Sequence, residues 1–192
     1  YFFLSRLSIM SYTKLNILIV KAYFPLEILG CYSLADKIVV RVIKKPFRII
    51  NQVYYPRLAN SLNVYTFKKI LLLSFFLALL TYVFTYYTSG LIFMFLGGPE
   101  YIEYAFILKI LSFVIIFTSI HMLMGSLLIV SNYEKYFNRS IVWGSFIYMI
   151  IMMVLYQFNL FTIVRIAFLT IFVDLFILIY RAYHIRKYRI LN

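Results

Sequence analysis

Cysteine is almost missing from this chain. Cys31 stands alone, which excludes an internal disulfide framework and a cysteine metal cage. Charge is scarce as well, at 13% of residues, where soluble globular domains carry about 25%. Acidic residues are the rarest of all, six against 19 Lys and Arg. No HExxH pair, paired catalytic carboxylates, phosphate-binding loop or Ser/His/Asp set occurs, so nothing supports enzymatic chemistry, a cofactor or a metal. A basic start followed by a small-residue cleavage site is also lacking, which argues against a cleavable signal peptide. The chain opens at Tyr1, inside an apolar stretch, and the expectation is a piece of a longer protein or a truncated gene.

What fills the chain is apolar. Apolar residues make up 65% and aromatics 21%, with a mean hydropathy of +0.93. There is too little polar surface to face water on all sides. A bilayer crossing takes about 20 predominantly apolar residues, so 192 residues hold about six crossings with short connections. The expected fold class is all-α: a polytopic transmembrane helical bundle forming one domain over residues 1–192. The net charge of +13 does not indicate nucleic-acid binding, because the basic residues are interleaved with spans and form no single solvated patch.

Apolar runs and their breakers predict six spans, at about 4–23, 31–55, 70–89, 101–130, 140–158 and 160–183. Pro25 ends the first, and Gly97-Gly98-Pro99 opens the fourth. The connections alternate in charge. Glu27, then Glu100 and Glu103, lie on one side. The other side holds Arg57, Lys68 and Lys69, then Lys135 and Arg139, then Arg181, Arg186, Lys187 and Arg189. The positive-inside rule therefore places both ends of this segment in the cytoplasm. Tyrosines near span ends, among them Tyr54, Tyr55, Tyr86, Tyr87, Tyr180 and Tyr183, fit interfacial belts.

The second span is unlike the rest. Lys37, Arg41, Lys44 and Arg48 are spaced four, three and four, which puts them within an arc of roughly 60° on a regular helix. Pro46 should bend or interrupt that helix. Each basic residue at a span centre costs about 2.5–3.5 kcal/mol to insert, so a whole stripe must face water, anions or partner carboxylates. Lys44, Lys45 and Arg48 sit near enough to the basic end to snorkel, whereas Lys37 and Arg41 lie farther from it. A wet cationic cavity is the better account of the stripe, and it implies an anionic cargo, with phosphate groups matching the guanidinium fork.

Other intramembrane polar residues leave alternatives open. In the first span Ser5, Ser8, Tyr12 and Asn16 share one face, and Lys14 and Lys21 roughly the opposite one. Lys21 can snorkel outward, which leaves Lys14 as the candidate. Asp174 lies well inside the sixth span, at a depth matching Lys14. A charge pair between them and a role in proton or cation coupling are both open. Asp36, beside the basic stripe, can neutralise Lys37 or Arg41. Lys109 and Arg165 lie near outer ends, and His121 reads as a helix–helix hydrogen-bonding residue.

Several motifs carry a resemblance. The run Gly30-Cys31-Tyr32-Ser33-Leu34-Ala35-Asp36-Lys37-Ile38 resembles the G-x-Y-S-x-A-(D/E)-K-I stretch of bacterial polysaccharide exporters. Tyr54-Tyr55-Pro56-Arg57-Leu58 resembles their YPR(I/L) signature. Gly98-Pro99-Glu100-Tyr101, with Ala105 and Leu108-Lys109-Ile110-Leu111, resembles their G-x-x-Y...A...L-(R/K)-I-L pattern. The stretch from Ser8 to Asn16 is similar to S-x-Y-T-x-L-N, with Lys14 departing from the small polar residue usual there. In this order and spacing the motifs resemble the O-antigen and polysaccharide flippase branch of the multidrug/oligosaccharidyl-lipid/polysaccharide exporter superfamily.

The resemblance implies two six-helix bundles, of which this chain would be the C-terminal one, in a bacterial inner membrane. It implies alternating-access export of an undecaprenyl-diphosphate-linked oligosaccharide for O-antigen, capsule or another surface polysaccharide. Its partners would be that lipid-linked sugar, membrane lipid, the N-terminal bundle and a polysaccharide polymerase. Lys37, Arg41, Lys44, Arg48 and Lys14 would meet the substrate, with Asp36 and Asp174 as coupling or charge-pairing residues. Competing readings are a drug or cation antiporter or a peptidoglycan-precursor flippase of the same superfamily, and a membrane-embedded glycan polymerase or transferase. A carboxylate-rich cavity would mark the antiporter, and a catalytic set or large outer loop the polymerase or transferase.

Overall fold

The computed structural model describes residues 15–61 and 63–191. It is an all-α bundle, and among the described residues no strand occurs. Residues 15–23 form α1, which Pro25 ends by lacking the N–H that would continue the ladder. Helix α2 spans Leu26–Ile38 and runs through a π-helical turn, Val39–Ile43, into α3, Lys45–Asn60. Helix α4 is Val64–Gly97, followed by a 3-10 turn at Pro99–Tyr104, α5 at Ala105–Ser112 and α6 at Val114–Val130. Helices α7, Glu134–Gln157, and α8, Ile163–Lys187, complete the bundle.

Among the described residues, four segments are long and apolar enough to cross a membrane: Val64–Gly97, Pro99–Val130, Glu134–Gln157 and Ile163–Lys187. The α2–α3 segment is long enough but too highly charged to qualify on composition. At 1.5 Å per residue, the 34 residues of α4 extend about 50 Å, well beyond a hydrocarbon core of about 30 Å. One side of α4 displays Leu73, Phe76, Leu80, Phe84 and Tyr87. Such an outward apolar row on the longest helix is what a lipid-facing surface requires, and the chain is a membrane protein. Tyr55, Tyr86, Tyr87 and Tyr183 are exposed in keeping with an interfacial belt, but Tyr54 is buried against Phe67.

Sharp local chemistry sets the breaks. Gly98 ends α4 at φ 104°, a left-handed conformation that glycine adopts without a Cβ clash. The π turn has a separate cause. Pro46 removes the N–H that would bond the Val42 carbonyl, and its ring crowds that carbonyl. The ladder widens just before it, with the Lys44 N–H bonding Val39 five residues back at 2.9 Å.

Helix α8 packs against α5, α6 and α7, while α3 lies on α6 and α4 covers α5 and α6. The larger apolar core runs from Val20, Cys31 and Ala35 through Leu108 and Ile115 to Ile166 and Val173. A smaller one, around Leu58, Phe67, Leu127 and Ile185, closes the end where the basic residues collect.

Candidate functional site

The π turn decides where the basic residues of the second segment go. On a regular helix Lys44 would share a face with Lys37 and Arg41. The wider turn displaces the downstream residues by about one position, roughly 100° of rotation. Lys37, Arg41, Lys45 and Arg48 are exposed along the bent segment, while Lys44 points inward. The four-residue stripe expected from regular spacing is therefore divided, and Lys44 leaves it for the bundle interior.

There Lys44 meets Asp174. The Lys44 Nζ lies 3.5 Å from Asp174 Oδ2, with side chains 16% and 6% exposed. The same carboxylate oxygen accepts a hydrogen bond from Thr118 Oγ1 at 2.5 Å, and His121 Nε2 stands 3.5 Å away. Helices α6 and α8 and the junction of the π turn with α3 thus converge on one carboxylate. A buried carboxylate needs such partners, because leaving it unpaired in a low-dielectric interior carries a penalty of several kcal/mol. Lys14, the partner considered for Asp174, lies outside the described residues. Asp36 is half-buried on α2.

His121 links this group to a second buried cation. Arg181 is 3% exposed; its Nε donates to Ser140 Oγ at 2.9 Å and its Nη1 to the His121 carbonyl at 2.6 Å. The guanidinium also lies over the Phe137 ring at 4.5 Å. Its Nη1 is 3.4 Å from His121 Nδ1, and a guanidinium can only donate. Nδ1 therefore accepts, which puts the ring proton on Nε2, facing Asp174. Gly125 leaves room for this packing, since a Cβ there would stand 2.5 Å from Arg181 Nη1 and 2.9 Å from Phe137.

Beside this network is a cavity of about 360 Å³, lined in part by Asn51, Tyr55, His121, Ser126 and Arg181. Ser126 Oγ donates to Asn51 Oδ1 at 2.8 Å across it, joining α6 to α3. A separate polar link lies deeper. Asn16 on α1 donates from Nδ2 to Thr170 Oγ1 at 3.1 Å and accepts from the Tyr148 hydroxyl. The face of α1 that carries Asn16 is thus turned into the bundle, and Lys21 is exposed. Lys109 of α5 caps the Tyr86 ring of α4 at 4.9 Å, and Arg165 makes a local bond to the Leu160 carbonyl at 2.8 Å.

Two participants do not stand out by pattern. Arg181 reads as part of the basic tail, but it belongs to the interior; its i−4 neighbour Ile177 and i+3 neighbour His184 are both buried, so it shares the inner face of α8. Thr118 sits three residues before His121, a small polar residue on the same helix face, and that spacing is the available signal. Among the described residues no cluster of His, Cys, Asp or Glu could hold a metal ion. No protein-family model matches the chain, and no curated protein or solved structure matches it either. The site is therefore read from its own chemistry.

Proposed function

We propose that this chain is the membrane-embedded bundle of a translocator for an anionic, lipid-linked sugar, working as a flippase by alternating access against a second bundle. The observation that carries the reading is the exposed basic row Lys37, Arg41, Lys45 and Arg48 on a bent helix of an apolar bundle. Exposed cations at span depth are too costly to leave against lipid. They call for a wet cleft and a negatively charged occupant. A diphosphate carrying a hydrophilic glycan fits, because its phosphates suit the guanidinium fork and its lipid tail stays in the bilayer. The motif resemblance to polysaccharide exporters points the same way and suggests a bacterial inner membrane, and the charge asymmetry of the connections favours both ends of the segment on the cytoplasmic side.

Lys44 and Asp174 take a different part in this proposal. They form an internal ionic link between the bent helix and α8, suited to holding the bend. In the intact transporter of the host cell, replacing Lys37 and Arg41 together by Ala should lower surface glycan several-fold at unchanged membrane abundance. Unchanged surface glycan in that double variant would defeat the cationic-cleft reading.

A further inference from the structure

We propose that the basic end of the bundle carries a built site for a phospholipid headgroup bearing two phosphates, of the cardiolipin type. Lys68 of α4 and Arg186 and Arg189 at the end of α8 line one pocket of about 460 Å³. Met124, Ile185 and Leu191 supply apolar wall beside them. Three like charges around one concavity repel one another. Among the described residues none of the three is ion-paired. A polyanion settles that repulsion, and basic pockets between membrane helices suit headgroups of this class.

The backbone gives an independent reason to see the pocket as built. Helix α8 closes with the Ile190 N–H bonding Ile185 at 3.2 Å and the Arg189 N–H bonding Arg186 at 3.1 Å. That is the bonding pattern of a Schellman cap, whose left-handed position belongs to glycine. Here it holds Arg189 at φ 49°. A glycine would suit the turn better, and the arginine brings a guanidinium to the pocket. The helix dipole favours cations at the end of α8 but not Lys68, which lies in the second turn of α4, near its positive end. That end instead adds to the attraction for an anion.

The apolar wall distinguishes a lipid from a free anion. Pyrophosphate could use the three cations alone, whereas a phospholipid also covers Met124, Ile185 and Leu191. The proposal is independent of the translocated cargo, and its test involves no glycan. The purified protein in neutral detergent is titrated with cardiolipin, phosphatidylcholine and inorganic pyrophosphate, read by native mass spectrometry and melting temperature. Cardiolipin should bind and raise the melting temperature, phosphatidylcholine should not, and pyrophosphate should bind more weakly. Lys68→Gln and Arg186→Gln should each weaken cardiolipin binding about fivefold, matching about 1 kcal/mol per basic residue at a lipid surface.

Arg189→Gly separates this role from a structural one. It should raise the melting temperature in phosphatidylcholine, by relieving the left-handed arginine, and still weaken cardiolipin binding about fivefold. Unchanged cardiolipin affinity in Arg189→Gly and in the Lys68→Gln/Arg186→Gln pair would overturn the site. Equal binding of phosphatidylcholine would overturn the charge argument, and pyrophosphate binding as tightly as cardiolipin would overturn the lipid assignment.

Discussion

The ion pair between Lys44 and Asp174 can be tested by cutting it from either side. At 3.5 Å and an effective dielectric of about 20, the two charges attract by about 5 kcal/mol. Desolvation of both groups offsets most of that gain, so the intact pair contributes little net stability. Breaking it is another matter. Lys44→Met leaves the carboxylate with only Thr118 as a hydrogen-bond donor and His121 at 3.5 Å. That should cost about 3 kcal/mol, the lower end of the range for an orphaned buried charge. Asp174→Asn should cost less, because Lys44 is 16% exposed on its side chain and can shift toward polar surroundings. With Lys44→Met and Asp174→Asn combined, no unpaired charge remains, and stability should return to within about 1 kcal/mol of the parent protein. The assay is a double-mutant cycle by thermal unfolding in detergent, where 3 kcal/mol corresponds to a fall of about 6–12 °C for a chain of this size. Losses that simply add in the double variant would refute the pairing, since residues in contact must show an interaction energy.

Two further perturbations probe how the site is held. Gly125→Ala should destabilise the bundle by about 1–3 kcal/mol, because its Cβ would meet Arg181 and Phe137 at 2.5 and 2.9 Å; an unchanged melting temperature would refute the close packing. Pro46→Ala restores an N–H at the position that widens the helix, and the segment should relax toward regular α-helical register and turn Lys44 away from Asp174. The coupling energy of the Lys44–Asp174 cycle, measured in that background, should fall to less than half; a full coupling energy would show that the π turn does not depend on Pro46.

Composition and periodicity were enough for the class of fold. So apolar a chain can satisfy its backbone in lipid only inside helices or a closed barrel, and its long unbroken runs select helices. Pro25, Gly98 and Pro99 were legible as breakers, because they act through local backbone geometry; the third span, expected to stop at 89, instead runs on through Gly90 to Gly97, since one glycine inside a long apolar helix does not end it. The cations Lys37 and Arg41 were also readable, since charge stands out against so apolar a background, and both are exposed.

What only tertiary structure decided was direction. Regular spacing put Lys44 on the face of Lys37 and Arg41, but one π turn, with Pro46 as its cause, sent it inward to Asp174. Arg181 reads as one more basic residue of a cytoplasmic end; its burial depends on Ser140, Phe137 and Gly125, which come from other helices. The Lys68–Arg186–Arg189 pocket joins residues more than a hundred positions apart. Sequence determines which residues are costly in a membrane, because that cost is a property of the residue. Which partner removes the cost depends on distances between helices, and those exist only in the packed bundle.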